Sequence, residues 1–560
     1  MGKVVYFFSQ ITSSKKQYLL LTPIIIAAII YFPCIKNGWW TVDDPLILNL
    51  TIQNGWYKFF YKKEVWHQIS STNLTPWINL SYAIDWFLFG FNPKGFFYHH
   101  YLSFLLAIFL CELVIYRTLG LTTALASSLL FIITLPTAMT ASFLWLRHYI
   151  EGLALSALAL LLFLKSYKNL SLYYSVFGAI FYFLACTAKE IYVPLIILII
   201  LYPNTFSRKH FRLKISYLFV LFVYILWRYH MLGHNFITGY PSQSFISWTS
   251  FFYLIFYNLY LHKVLTFIVI FLFLSLLLFY FSILSNFLKF YFSLIFFSII
   301  FPIVKVSFFL LKIKNNFGYS RILLLFSLFL CLFFSFSLKS SQKRIFTALT
   351  FLLLFINAMA FYLNDPIDFA NNLYNKYKQL GTFLLSKSDK DVLVYPYEDT
   401  YFLNHLLAIY KRILIDKTSF PIICADFCSC KQFFEENSNK EHVNFYLFNG
   451  NKIVKKDNFT CNVKNNFHPY AKIKCKNGKI FWEMGPFTKG KYCILMLEQG
   501  IPKSKFCLPR KGVMSILFPK EIFLRIVYIS PDEWLSYSDI YQLIIKNECQ
   551  VINLSINSRH

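Results

Sequence analysis

Long apolar runs dominate the first two thirds of this chain and constrain its fold more than any other feature. Runs of about 17–22 residues recur between Tyr18 and Leu363, which is the length that a helix needs to cross a hydrocarbon core of roughly 30 Å. The mean hydropathy of +0.52 argues against a soluble protein. We therefore predict a polytopic α-helical membrane protein. The first run has no small-residue cleavage site, so we expect a membrane anchor rather than a removed signal peptide.

The composition changes near Asp365. The following residues are polar, rich in lysine and contain eight of the 12 cysteines. We predict two domains: a membrane core over residues 1–364 and a water-exposed domain over residues 365–560. In the second domain, residues 389–415 are expected to form strand, turn, helix and strand, and "KGKYCILMLEQG" and "GVMSILFPKEIFLRIVYIS" are expected to form strands. The fold class is thus a membrane helical core followed by a mixed α/β to β-rich domain.

Loop charge predicts the orientation of the spans. We expect eleven spans, beginning near Tyr18, Tyr98, Leu121, Tyr149, Leu172, Ile191, Leu213, Val264, Phe287, Ile322 and Ile345. Basic residues cluster in the N-terminal segment and in the loops after spans four, six and ten, and this count places all four clusters on one side. By the positive-inside rule that side is cytoplasmic, so the first long loop and the C-terminal domain are expected outside.

One segment could change this count. Residues 247–265, "SWTSFFYLIFYNLYLHKVL", are apolar enough to span, although their Tyr, Asn and His content favours a helix lying at the membrane interface. The C-terminal cysteines support the outside location, because disulfides persist in oxidising compartments. "CADFCSC" could instead bind a metal, but it lacks zinc-ligand spacing, and we favour disulfides or free thiols.

The formal net charge of +28 does not indicate nucleic-acid binding. The basic residues are spread over membrane loops and the C-terminal domain, with no single dense tract. Lysines that fix membrane orientation explain this distribution. We expect no nucleic-acid partner.

Two adjacent acids, Asp43 and Asp44, lie in the first long loop, residues 35–97. An aromatic stretch in the same loop, residues 54–69, is typical of the headgroup level of a membrane. A carboxylate there can serve as a general base if a donor hydroxyl or amine comes within hydrogen-bond reach. Neighbouring residues of an extended segment point to opposite sides, so only one acid should face a substrate. Alternatively, both are solvated loop charges.

Cationic residues stand at the expected outer ends of three spans. "LWLRHYIEG" contains Arg147, "CTAKEIYVP" contains Lys189 and Glu190, and "NNFGYSRILLLF" contains Tyr319 and Arg321. Such residues can be simple interfacial anchors. They are also the groups that a lipid-linked phosphate would need, because Arg binds phosphate bidentately and Lys neutralises it as a point charge.

The order of these motifs resembles that of GT-C glycosyltransferases, specifically the protein O-mannosyltransferase-like branch that includes tetratricopeptide-bearing transmembrane mannosyltransferases. The similar segments are "WTVDDPLILN", "TPWINLSYAIDWFLFGFNPKGF", "LPTAMTASFLWLRHYIEG", "ACTAKEIYVPLIILIILYP" and "FPIVKVSFFLLKIKNNFGYSRILLLFS". They cover residues 38–338 in the family order. The repeats are missing, since the C-terminal domain has no 34-residue helical period.

The resemblance implies a hexosyltransferase of the cytoplasmic (inner) membrane that uses a sugar on a polyprenyl phosphate. The transfer would invert the sugar carbon and take place outside the membrane, with Asp43 as the base and Asp44 supporting it or holding a divalent cation. The leaving phosphate would be bound by Lys189, Glu190, Arg147, Arg321 and Tyr319. No metal-ligand set and no certain cofactor is expected. The acceptor could be a protein, a lipid or an envelope glycan, and membrane lipids surround the site.

A transporter or flippase is the non-enzymatic alternative. Transporters commonly have inverted repeats and polar residues at the middle of the membrane. In this chain the charges cluster at span ends and no internal repeat is recognisable. The sequence therefore favours an enzyme.

Overall fold

The computed structural model describes most of the chain. The described residues are 15–70, 73–200, 202, 208–233, 257, 259–260, 262–283, 323–336, 343–397, 400–417, 419–437, 443–450, 452–456, 461–464, 466–476, 479–515, 520–545 and 549–554. They divide into two compact units. Unit 1 comprises Met1–Trp39 and Asn54–Tyr374, and unit 2 comprises Trp40–Gln53 and Asn375–His560. The acidic segment of the first loop thus belongs to the same unit as the C-terminal part of the chain.

Helices make up unit 1 and connect the strands of unit 2. In chain order the described helices are α1 (Thr22–Asn37), α2 (Asp44–Asn54), α3 (Lys63–Trp66), α4 (Trp77–Phe89), α5 (Pro93–Leu119), α6 (Leu121–Ile132), α7 (Leu135–Ser142), α8 (Arg147–Asn169), α9 (Leu172–Ala188), α10 (Leu195–Ile200), α11 (Arg208–Leu232), α12 (Lys263–Ile283), α13 (Leu324–Phe336), α14 (Lys343–Asn364), α15 (Pro366–Ser386), α16 (Thr400–Ile413) and α17 (Phe427–Asn437).

Unit 1 has the helices of a multi-pass membrane protein. Among the described residues, five helices are long and apolar enough to cross a membrane, or six if α6 and α7, bent by 66°, form one broken span. Helix is present at ten of the eleven predicted spans, while the ninth, expected near Phe287, lies outside the described residues. Most of the ambiguous segment 247–265 also lies outside them. The count of eleven therefore stays a prediction.

The outward faces of these helices are apolar. Phe32 on α1, Leu102 on α5, Phe219 on α11 and Phe355 on α14 are all more than half exposed. In water, so many large exposed apolar side chains would be unfavourable, whereas lipid accommodates them. This surface indicates helices that face lipid.

Close helix packing in unit 1 depends on small residues. A Cβ placed on Gly178 of α9 would overlap the hydroxyl of Tyr217 on α11. That hydroxyl donates to the carbonyl of Ala159 on α8 at 3.1 Å, so one tyrosine bridges three helices. Small residues allow such approaches in membrane bundles, where lipid tails remove the usual hydrophobic drive for helix association.

The first four strands of unit 2 form a small α/β sheet. Its strands are β1 (Asp391–Val394), β2 (Ile422–Cys424), β3 (Asn444–Phe448) and β4 (Ile453–Lys455), in the order β2-β1-β3-β4. β1 is parallel to β2 and β3, and β4 returns antiparallel to β3. Helix α16 connects β1 to β2, and α17 connects β2 to β3.

An antiparallel region follows. Its strands are β5 (Tyr470–Lys476), β6 (Lys479–Gly485), β7 (Lys491–Glu498), β8 (Ile501–Leu508), β9 (Lys511–Ser515), β10 (Lys520–Ile529), β11 (Leu535–Ile545) and β12 (Cys549–Leu554). They form a five-stranded sheet, β12-β11-β10-β7-β8, and a three-stranded sheet, β5-β6-β9. Met484, Leu524, Ile526 and Leu543 pack in one buried cluster. Leu524 and Ile526 alternate with Arg525, as expected for a strand with one face in a core.

The predicted mixed sheet region is confirmed, with one local error. The strand expected at the end of residues 389–415 is wrong, because α16 continues to Ile413 and β2 begins only at Ile422. The buried Leu403, Leu406 and Leu407 follow helical spacing and form one apolar face of α16. Burial of this face stabilises the helix rather than a strand.

The cysteines divide between the units. Disulfides join Cys424 to Cys430, Cys428 to Cys461, and Cys493 to Cys507, all in unit 2. The side chains of Cys475 and Cys549 lie outside the described part. The described free thiols are buried in unit 1: Cys34, Cys111, Cys186 and Cys331. "CADFCSC" thus forms disulfides.

Candidate functional site

The two adjacent acids lie at a tight turn that begins α2. The N–H of Asp44 donates to the carbonyl of Thr41 at 2.8 Å, and the N–H of Ile47 donates to the carbonyl of Asp43 at 3.0 Å. Val42, within this turn, has φ +37°, which is uncommon for a β-branched residue. Strained backbone of this kind persists only where surrounding contacts hold it.

The structure gives the two carboxylates different surroundings. Asp44 is completely buried, and its Oδ2 accepts hydrogen bonds from the N–H and hydroxyl of Thr41 at 2.7 and 3.1 Å. Asp43 is only half-buried, and its Oδ1 accepts a hydrogen bond from the hydroxyl of Tyr401 at 2.8 Å. Asp44 therefore closes the turn, and Asp43 is the better placed of the two to meet a substrate.

A second polar bond holds α2 within unit 2. Asn49 Nδ2 lies 2.9 Å from Nδ1 of His405 on α16. When the Asn49 amide donates, Nδ1 is the unprotonated nitrogen of a neutral imidazole. Burial lowers the pKa of His405 to about 4, which also favours the neutral ring.

Lys189 lies where one helix of unit 1 stops. It follows α9 with extended backbone, and a single 3₁₀ turn, Glu190–Tyr192, precedes Pro194 and α10. Pro194 has no N–H to continue a helical ladder. Non-helical backbone between apolar helices needs protein or water around it, and discontinuous helices commonly form ion and substrate sites in membrane proteins.

Two cations share one carboxylate at this break. Glu190 Oε1 accepts from Arg228 Nη1 at 3.0 Å and from the N–H of Leu74 at 2.8 Å, while its Oε2 lies 3.4 Å from Lys189 Nζ. Lys189 Nζ also lies 5.1 Å from the ring centroid of Tyr149. The three charged groups have a formal net charge of +1. Both cationic side chains retain 12% exposure, and Glu190 retains 20%.

Arg147 lies in a separate buried network in unit 1. Its guanidinium contacts Asp85 Oδ2 at 2.5 Å and Glu151 Oε1 at 3.3 Å, and its side chain is fully buried. His99 bonds to the other oxygen of Asp85 at 2.6 Å, and Trp77 donates to Glu151 at 2.7 Å. Two carboxylates already neutralise this guanidinium, so we do not include Arg147 in the proposed phosphate group.

The structure brings together only part of the predicted phosphate set. Lys189 and Glu190 form an ion pair, and Glu190 also pairs with Arg228. The phosphate-binding role of both residues stays a prediction. Tyr319 and Arg321 lie outside the described residues. Sequence reasoning missed Arg228, although an arginine in the apolar helix α11 is itself a signal, since charges inside apolar helices are rare and usually functional. No sequence signal identified Tyr401.

The surroundings of Asp44 fit a turn better than a divalent-cation site. Its Oδ2 is already bonded to both donor groups of Thr41. Within the described ranges, no group of three His, Cys, Asp or Glu side chains is arranged to hold a metal ion. Cation binding by Asp44 stays an untested alternative.

Comparison with known proteins gives structural matches alone. No family model and no curated protein matches the chain. ArnT from Cupriavidus metallidurans, solved in the apo state and bound to undecaprenyl phosphate, is 11% identical with a TM-score of 0.43. The match covers 78% of this chain and 94% or 93% of ArnT.

An oligosaccharyltransferase from Archaeoglobus fulgidus, tethered with an acceptor peptide, is 12% identical with a TM-score of 0.38. That match covers 77% of this chain and 69% of the archaeal chain. ArnT is a GT-C glycosyltransferase, the class that the sequence motifs of this chain resemble. At these identities and TM-scores, no residue role, donor or acceptor is transferred.

Proposed function

We propose that the chain is a membrane glycosyltransferase that moves a sugar from a polyprenyl phosphate to an acceptor outside the cytoplasmic membrane. The observation that carries the proposal is the pair of cations on one carboxylate where α9 ends. The motif order of the sequence and the different surroundings of Asp43 and Asp44 support it as well.

The cation pair suits a lipid-linked phosphate. Lys189 supplies a compact charge and Arg228 a planar fork of donors, which are the two usual ways of binding phosphate. Glu190 holds both cations in place and leaves a net charge of +1, so an incoming phosphate meets attraction. As the bond to the sugar breaks, negative charge grows on the phosphate, and fixed cations stabilise that charge most in a water-poor site.

The reaction is a single displacement at the anomeric carbon. An acceptor hydroxyl or amide attacks the carbon, Asp43 takes the acceptor proton, and the carbon–oxygen bond to the phosphate breaks. The products are an inverted glycoside and a free polyprenyl phosphate. General-base help of this kind contributes roughly 10²–10⁴-fold. Asp44 keeps the turn closed and takes no proton.

The distribution of cysteines supports placing unit 2 outside the cytoplasm. All the described disulfides belong to unit 2, and the described free thiols belong to unit 1. Disulfides are rare in a reducing cytosol. With the predicted eleven spans, the N-terminus is cytoplasmic.

Purified full-length protein in lipid nanodiscs tests the proposal. We would supply radiolabelled polyprenyl-phosphate sugars one at a time, with membrane extracts as the acceptor source. We expect one donor to be consumed and its label to appear on a protein, a lipid or a glycan, which identifies the acceptor class. Consumption of none of the donors, by protein that is folded, would refute the proposal.

Matched variants separate specific from general effects. Lys189→Met should lower transfer, whereas Lys165→Met should not. Lys165 is a suitable control because its Nζ lies 4.2 Å from the ring centroid of Tyr174, a lysine–tyrosine contact like that of Lys189. Equal loss in both variants would indicate damage to the fold rather than to the site.

A further inference from the structure

We infer that Tyr401 is a positioning residue for Asp43, so that unit 2 contributes to catalysis through a residue that does not itself react. The inference rests on the proposed function, because it assumes that Asp43 is the base. Its direct observation is the hydrogen bond of 2.8 Å from the Tyr401 hydroxyl to Asp43 Oδ1.

Tyr401 lies at a hydrogen-bonded helix start. It is the second residue of α16, and the preceding residue, Thr400, donates its hydroxyl to the backbone carbonyls of Tyr395 and Tyr397. Tyr395 directly follows β1 and is completely buried. These bonds connect the end of β1, an inner strand of the small sheet, to the start of α16. The start of α16 in turn positions the Tyr401 hydroxyl.

Two separate hydrogen bonds join the acidic segment to α16. Tyr401 and His405 are four residues apart and share one face of α16, where they bond to Asp43 and Asn49 of the acidic segment. Each bond alone holds one point of the acidic segment. Together they hold two points, Asp43 just before α2 and Asn49 within it, so the Asp43 carboxylate keeps its position against α16.

This placement matters because a base is effective only at the correct distance. A shift of about 1 Å in a catalytic group can cost roughly 10²-fold in rate. Removing the hydroxyl should therefore lower turnover without changing how tightly the donor binds.

Tyr401→Phe in the full-length protein tests the inference, and Tyr410→Phe is the matched control. Tyr410 is on the same helix about 13 Å further along its axis, so its hydroxyl cannot serve Asp43. We expect Tyr401→Phe to lower kcat about 10-fold or more while KM for the donor and the thermal midpoint stay near those of the parent protein. Tyr410→Phe should leave kcat unchanged.

A double-mutant cycle separates positioning from a structural effect. In an Asp43→Asn background, Tyr401→Phe should change the residual rate by less than about 2-fold, because the base that the hydroxyl positions is already lost. A purely structural role would lower the rate equally in both backgrounds, which would overturn the inference. Equal kcat values for the two tyrosine variants would also overturn it.

The outcomes distinguish this inference from the proposed function. If the parent protein transfers sugar, Asp43→Asn is inactive and Tyr401→Phe is normal, only the role of Tyr401 is refuted. If Asp43→Asn retains full turnover, or the parent consumes no polyprenyl donor, the proposed function fails and the inference fails with it.

Discussion

Replacing one cation of the site where α9 ends should weaken binding of the polyprenyl phosphate group. The charges of the site determine the size of this loss. The cluster of Lys189, Arg228 and Glu190 has a formal charge of +1, which falls to zero in Lys189→Met or Arg228→Met. A lost hydrogen bond to a charged group costs about 1.5–3 kcal/mol. We therefore expect the dissociation constant of polyprenyl phosphate to rise roughly 10- to 100-fold in either variant.

Glu190→Gln changes the formal charge of the cluster in the opposite direction, and it therefore provides a second test of the prediction. It raises the formal charge of the cluster to +2 while keeping an acceptor for the backbone N–H of Leu74. If Glu190 is only a counter-ion, polyprenyl phosphate should bind at least as tightly as in the parent protein. A large loss of affinity in Glu190→Gln would show that its main role is to orient the cations.

The assay is direct binding of polyprenyl phosphate to protein in nanodiscs, at about 50 and 500 mM salt. Salt weakens attraction between charges, although less where they are mostly buried, so the parent protein and Glu190→Gln should lose somewhat more affinity with salt than the two cation variants do. Lys165→Met is the control for loss of a lysine elsewhere in unit 1. Unchanged affinity in both Lys189→Met and Arg228→Met, with normal thermal midpoints, would refute the phosphate assignment.

Three further predictions concern unit 2. Asp43→Asn should lose at least about 10²-fold in turnover with donor affinity retained, whereas Asp44→Asn should mainly lower the thermal midpoint by weakening the turn with Thr41; the reverse pattern would exchange their roles. The free energy of unfolding should fall as the pH drops from about 6.5 to 4, because His405 binds a proton in the unfolded chain but stays neutral in the folded protein, where its pKa is about 4. His405→Gln should reduce this pH dependence in thermal melts. A reporter active only in the periplasm, fused after Asn553, should be active; activity of a cytoplasmic reporter instead would reverse the predicted orientation.

Local sequence pattern predicted the elements of this fold well. Apolar runs of fixed length predict membrane helices because the hydrocarbon core sets one length for every crossing. A continuous apolar run predicts β7, whose two faces both pack in buried clusters, with Tyr492 on one face and Cys493 and Leu495 on the other. The strand predicted at the end of residues 389–415 is wrong because its apolar residues, Ile413, Leu414 and Ile415, fit a helix end and a strand equally well.

The partners of the candidate site were much less predictable. Asp43 and Lys189 stood out because charged groups beside apolar runs are conspicuous. Arg228 and Asp85 are equally conspicuous within their helices, but nothing in their local sequence says which opposite charge they meet. Tyr401 is an ordinary helix residue in sequence, and only the folded chain brings it to Asp43.

The assignment of Trp40–Gln53 to unit 2 has a consequence for biosynthesis. Asp43 and Tyr401 are 358 residues apart in the chain. At about 5–20 residues per second, the ribosome needs roughly 20–70 s after making the acid before it makes the tyrosine. During that interval the nascent chain already has its acidic turn, but not the helix that bonds to it. Prematurely terminated chains that stop before α16 would reach the membrane with the acid unsupported, so formation of this contact requires that synthesis has passed α16.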